Sequence, residues 1–279
     1  MGGQAVLHGV MMRGDDRWAV AVRRPDGSIA VRTETLARVP AWQRSVPFVR
    51  GLFAVGRAVP LGTRAMRWSV ATSGQPVRGA RRALSTASTV ALVVAASVAP
   101  ALVVRGGAIV DVVVQNVLAV MLLVGGLAAT GRLGHLRTLF QYHGAEHKAV
   151  AAFEAGGALT PAEAAGYSTR HARCGTSLLV WLVAATAVVD LTLGRIGTPF
   201  VLSLLAAVGL ATEIQLRAAA HADRPLVRLL LRPGLALQRV TTREPSPAQL
   251  EVALAALVAV VPVPGEAPTS PTVLALAAA

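Results

Sequence analysis

Four apolar runs stand out along the chain, each almost free of charge: about Thr86–Val104, Ile109–Ala129, Thr176–Leu193 and Pro199–Leu216. Each is close to the roughly 20 residues a helix needs to cross a ~30 Å hydrocarbon core. In lipid, a single segment of this kind hides its backbone polar groups only as a helix. The links Arg105–Ala108 and Gly194–Thr198 are short, so the runs pair as two helical hairpins.

Outside these runs the pattern changes. Ala19–Glu34 alternates apolar and polar residues on either side of Pro25-Asp26-Gly27, which predicts a small β-hairpin. The preceding GGQAVLHGVMMRG places Gly2, Gly3, Gly9 and Gly14 where the backbone either approaches another group closely or stays flexible. Pro47–Val70 carries Arg50, Arg57, Arg64 and Arg67 on one helical face, and Pro60 is expected to kink or split that helix. The expectation there is an interfacial helix pair with its arginines toward lipid headgroups. Leu133–Phe153 is helical by pattern, and Thr160-Pro161-Ala162-Glu163 caps a short helix that turns the chain back. Ser246-Pro247-Ala248-Gln249 opens another helix, running through Leu250–Val260, and the tail from Pro262 is expected to be poorly ordered.

The expected fold class is therefore mainly α: a polytopic membrane protein with four transmembrane helices as two hairpins. Cytoplasmic interfacial helices and a small N-terminal β-hairpin complete it. The expected organisation is a cytoplasmic segment over 1–85, one hairpin over 86–131 and a polar loop over 132–175. A second hairpin follows over 176–216, then C-terminal helices over 217–261 and the tail over 262–279.

Composition agrees with this picture. Of 279 residues, 54% are hydrophobic and 15% charged, against roughly 25% charged in soluble domains, and the mean hydropathy is +0.57. The formal net charge is +13. Lys and Arg number 14 before the first run, 5 in the central loop and 6 after the fourth, leaving only Arg105 and Arg195 in the hairpin turns. This positive-inside bias predicts the cell inner (cytoplasmic) membrane, multi-pass, with both termini cytoplasmic. The partners implied are the lipid bilayer and its anionic headgroups, with a homo-oligomer possible. Nucleic acid is not implied, because no recognition motif or aromatic–basic interleaving accompanies the charge. The first residues lack the basic start and apolar core of a signal peptide, and Val6 breaks the myristoylation pattern after Gly2. Cys174 is the only cysteine, so no internal disulfide forms.

The candidate chemistry lies in the central loop. His143-Gly144-Ala145-Glu146-His147 reads H-x-x-E-H, with two imidazoles at i and i+4 on one helical face. This is the inverted zincin pattern, in which His143 and His147 hold a divalent metal, zinc by preference, and Glu146 acts on water. The bland reading is a polar face packed against headgroups or loops. His171 and Cys174 offer two further ligands just before the third run, where a hairpin can bring them to the first pair. Cys174 is a ligand, a nucleophile activated by its basic neighbours, or an inert buried thiol. Glu154 lies seven residues beyond His147, about 10 Å along a helix, too far to share the metal. Glu213, near the cytoplasmic end of the fourth run, is a third ligand, a partner to a ligating histidine, or an ion pair with Arg217. Asp111 and Asp190 lie at the opposite ends of the runs and read as interfacial anchors.

Several motifs together carry a resemblance. GGQAVLHGVMMRG at 2–14, AVAVRRPDG at 19–27 and PFVRG at 47–51 are followed by YHGAEHK at 142–148, RHARCGTS at 170–177 and PGLALQRVTTREPSPAQLEVALAAL at 233–257. In this order the chain resembles the YqhQ-like family of bacterial membrane proteins. The resemblance implies a metal-dependent membrane enzyme and carries metal roles to His143, Glu146, His147, His171 and Cys174. Two positions depart from the family pattern: His8 stands where an acid is usual, and Ala172 replaces a usual proline. If that acid serves the site, His8 alters its charge or adds a ligand.

Two functional classes follow. The first is a metal-dependent, hydrolase-like enzyme with its site at the cytoplasmic membrane surface and Glu146 and Cys174 as catalytic candidates. The second is a non-catalytic membrane scaffold or assembly factor, whose polar motifs hold loops together. A transporter fits less well, because the apolar runs carry few polar residues at mid-depth.

Overall fold

The computed structural model describes residues 1–74, 109–132, 134–192, 200–261 and 273–276. The chain opens with an antiparallel meander: β1 (Gly2–Val6), β2 (Gly9–Arg13), β3 (Arg17–Arg23) and β4 (Ile29–Thr35). The expected hairpin is β3–β4, with Arg24 and Ser28 closing the turn around Gly27 at φ 85°. The glycine-rich segment before it is not a flexible arm; it forms β1 and β2 and extends the sheet. Within the tail expected to be poorly ordered, β5 (Val273–Leu276) pairs with β4; residues 262–272 and 277–279 lie outside the described residues.

Both faces of this sheet are covered. Val10, Met12, Ala19, Ala21 and Val31 alternate with Met11, Trp18, Val20 and Val22, and the two sets enter different cores. The second set packs on Leu61 and Ala65 of α2 (Val49–Thr72), which follows the short α1 (Ala41–Ser45). Pro60 does not split α2, which runs 24 residues without interruption. The lost hydrogen bond is outweighed by burial of Leu61, Ala65 and Ser69 immediately beyond it. Three of its four arginines on that face bind groups within the protein. Arg50 binds Glu213, Arg57 donates to Gln43 at 2.8 Å, and Arg64 pairs with Glu34 while lying over the Trp18 ring.

Among the described residues, two helices are long and apolar enough to cross a membrane: α3 (Ile109–Thr130), over Ile109–Ala129, and α7 (Phe200–Ala220), over Val201–Ala220. Between them lie α4 (Gly134–Glu154), α5 (Pro161–Ala165) and α6 (Ser177–Thr192). The described part of α6 has 16 residues, roughly 24 Å, short of a full crossing. The expected first span, Thr86–Val104, and both hairpin turns lie outside the described residues. The described structure thus contains two of the four expected spans at full length. Helix α3 leaves Val110, Val113, Val117 and Met121 uncovered by the rest of the protein.

The chain closes with α8 (Pro225–Thr241) and α9 (Pro247–Val258). Ser246 and Gln249 form a reciprocal capping box at the start of α9. Helix α9 is almost wholly buried between α4 and the sheet, and Arg23 of β3 binds Glu251 at 2.6 Å across that contact. The first core therefore welds α4, the carrier of H-x-x-E-H, to the sheet.

Candidate metal centre

His143 and His147 project from one face of α4, with ring centroids 4.5 Å apart. Each ring is fixed from behind by a backbone carbonyl. His143 Nδ1–H donates to Thr241 at the end of α8 (2.9 Å), and His147 Nδ1–H donates to Thr169 (2.5 Å). In the neutral rings this leaves both Nε2 atoms as the acceptors, the arrangement that orients metal-ligating imidazoles. The His171–Ser177 stretch then carries Cys174 over them. Its buried Sγ lies 3.3 Å from His143 Nε2, with Thr176 N–H donating to the sulfur at 3.4 Å. One ligand atom from each of His143, His147 and Cys174 lies within 4.8 Å of the others, so the cluster can hold a metal ion. His147 Nε2 is buried and has no hydrogen-bond partner in the protein. A buried imidazole nitrogen without a partner costs free energy unless something coordinates it.

Glu146 stands beside this group rather than in it. Its Oε2 is 3.7 Å from His147 Nε2 and 4.0 Å from His143 Nε2. Burial pushes its carboxyl up to about 7, against the opposing pull of His143 and of the Gly3 N–H. Gly3 is required for that contact. A Cβ there would fall 2.7 Å from Glu146 Cγ, so only glycine lets β1 reach the carboxylate.

The other candidates go elsewhere. His171 is 6.0 Å from His147 ring to ring, but its Nε2 faces Glu154 Oε2 at 3.2 Å while Nδ1 accepts from Arg173 N–H. Burial holds this imidazole below its ordinary range, so it is the neutral ring that donates to Glu154. Glu154, too distant for the His143–His147 pair, thus binds His171 and Arg173 instead. Glu213 is not a ligand of this cluster. Both its oxygens bind Arg50 (2.6 and 2.7 Å), Phe48 N–H donates to it at 3.0 Å, and Arg217 is 3.7 Å away. Phe48 occupies the centre of a γ-turn at φ 64°, ψ −49°, an uncommon conformation for a bulky residue, and Glu213 helps to hold it. His8 is also remote. It sits in the β1–β2 turn at φ 53°, where Asn, Asp and His are enriched, and it does not line the site cavity.

Sequence reasoning missed the residues that assemble the site. Gln238 of α8 is fully buried and accepts from His171 N–H at 2.8 Å. It also donates to the His171 carbonyl (2.9 Å) and to Ser177 Oγ (2.8 Å). Gln215 of α7 donates to the Ala172 carbonyl at 2.9 Å. Lys148 is buried, donates to the Ala165 carbonyl at 2.7 Å and pairs with Glu244 at 2.5 Å. Gly144 lets the Arg243 carbonyl lie against α4, which brings Thr241 to His143. Two of these left a signal: a glycine in a helix interior, and a glutamine on the apolar stripe Leu231–Gly234–Leu237–Thr241.

The cluster lines a cavity of about 490 Å³, within the range of small-molecule sites. Similarity to known proteins is consistent with the sequence resemblance and adds no activity. Residues 46–263 match the family described as "Protein of unknown function (DUF1385)". The "Uncharacterized protein YqhQ" of Bacillus subtilis (strain 168) is 27% identical over 289 residues, covering 91% of this chain and 89% of that protein. No solved structure matches. The chain belongs to the DUF1385 family, in keeping with its resemblance to YqhQ-like proteins.

Proposed function

We propose that this chain is a metal-dependent, hydrolase-like enzyme of the bacterial inner membrane, with its site at the cytoplasmic surface. Four spans in two hairpins, with both termini cytoplasmic, is the topology favoured by the distribution of Lys and Arg and by the length of α3 and α7. Anionic lipid is the partner expected at α8, whose first half exposes Leu226, Leu229 and Leu230 alongside Arg224, Arg228 and Arg232.

One observation carries the metal reading: His147 Nε2 is buried, has no hydrogen-bond partner among the described residues, and lies with a ligand atom of His143 and of Cys174 within 4.8 Å. Three such donors with an open fourth position are the pattern of a catalytic site, and the His₂Cys set suits zinc. A divalent ion held there would make water a stronger nucleophile and polarise the bond under attack. Cys174 serves as a ligand in this reading. Glu146, beside the ligands, takes a proton from the attacking water. The water oxygen bonds to the electrophilic centre of the substrate, the bond to the leaving group breaks, and Glu146 returns the proton to that group. Gly3 N–H and the carbonyls of Thr241 and Thr169 hold these side chains in place.

Metal analysis of the purified protein tests the reading. About one equivalent of zinc or a related ion is expected in the wild type, and none in the His143→Ala, His147→Ala double variant. Absence of stoichiometric metal, with the histidine substitutions affecting only folding or partner capture, would instead leave the scaffold.

A further inference from the structure

We infer that the substrate of this site is an amphipath: a small, weakly charged polar head joined to one apolar chain. The inference rests on the metal reading above and concerns what else the cavity holds. The ligating and acidic groups on its wall are His143, Glu146, His147 and Cys174. Most of the remaining wall is apolar, with Leu139, Phe140 and Val150 of α4, Leu127 of α3 and Leu179 of α6. Its other polar side chains are Gln4, His171, Arg173, Thr176 and Thr241. Leu127 is near the C-terminal end of a helix long and apolar enough to span a bilayer, and Leu179 is near the start of the apolar α6. The apolar wall therefore continues into the helices that face lipid, and a chain lying along it leads from the ligand cluster toward the bilayer.

The charge of the wall narrows the head. Arg173 is the only Lys or Arg among the described residues lining the cavity, and it is already paired with Glu154. The other cation near it is the Met1 α-amino group, which acts on His171. A polyphosphate or nucleotide head would need more cationic clamps than these two. A head bearing an ester- or amide-type carbonyl needs none.

The test uses the full-length protein loaded with cobalt in nanodiscs of neutral lipid. The probes are alkyl hydroxamates from acetohydroxamate to octanohydroxamate, whose binding at the metal is read from the cobalt absorption bands. Affinity, corrected for partition into protein-free nanodiscs, is expected to rise about fourfold per added methylene until the chain fills the cavity. Leu179→Trp and Leu139→Trp, each filling the half-buried wall, should abolish that gain at cobalt stoichiometry unchanged, while acetohydroxamate binds as before. Affinity independent of chain length would overturn the proposal, as would a gain that survives in both variants. Pyrophosphate binding more tightly than octanohydroxamate would do the same. A protein that takes up no cobalt would overturn the metal reading, and the proposal with it.

Discussion

Two buried polar clusters of this protein invite comparison. At the start of α2, Glu213 is 4% exposed and surrounded by donors: Arg50 on both oxygens and Phe48 N–H on one. In the second cluster, His147 of α4 and Cys174 of the loop before α6 are also buried and His143 is half-buried, yet their ligand atoms lie close together and His147 Nε2 has no hydrogen-bond partner among the described residues. The first cluster is complete in itself and ties α2 to the end of a long apolar helix. The second is complete only with something added. From sequence the two looked alike, each a charged or ligating residue near an apolar run. What separates them is whether each polar atom has been satisfied.

The contrast can be broken in four places, in descending order of expected effect. Glu146→Gln should retain the metal but lose turnover by a factor on the order of 10²–10⁴, measured as hydrolysis once a chain-bearing ester or amide substrate is in hand. The same variant sharpens the electrostatics. A carboxyl raised to about 7 in the fold favours the protonated folded state, so the metal-free wild type loses stability as pH climbs from about 4.5 to about 7. The glutamine variant should lack that loss, and detergent-phase melts at pH 5 and pH 8 would reveal a difference on the order of 3 kcal/mol. Unchanged pH dependence would refute the role of burial.

Glu213→Ala is next. Removing the acceptor leaves Arg50, itself partly exposed, and the Phe48 γ-turn without their anchor. A stability loss of about 2–3 kcal/mol with metal content intact is expected. Loss of metal in that variant would return Glu213 to the site. Gly144→Ala pushes a Cβ into the Arg243 carbonyl and should cost about 1–3 kcal/mol. Because Thr241 lies two residues before Arg243 and orients His143, metal affinity should fall as well. His8→Asp is the smallest change: the turn accepts either residue, so stability should move by less than about 0.5 kcal/mol and metal content not at all.

Much of this was legible from residues alone. The β3–β4 turn, the Ser246–Gln249 cap and the α4 helix bearing H-x-x-E-H were read from short windows and stand in the structure. The proximity of Cys174 to His143 was anticipated from their placement next to two apolar runs. Pro60 misled, because the sequence shows the hydrogen bond lost but not the sheet that α2 packs on. The partners of Arg50, Arg57 and Arg64 were equally out of reach, since Glu213, Gln43 and Glu34 lie outside any helical window. The glycines of the first strand left their choice open, and contact with Glu146 decided it for Gly3.

The sequence by itself determined the apolar runs, the turns, the caps and the i, i+4 spacing of two histidines. Each depends on backbone geometry over a handful of neighbouring residues. The tertiary structure decided which polar groups are already satisfied. His143 meets Cys174 across 31 residues, Gln238 holds His171 across 67, and Arg50 claims Glu213 across 163. No local rule reaches so far. A hydrogen bond is made where the folded chain places a donor, and the ligand set is what remains once those bonds have been made.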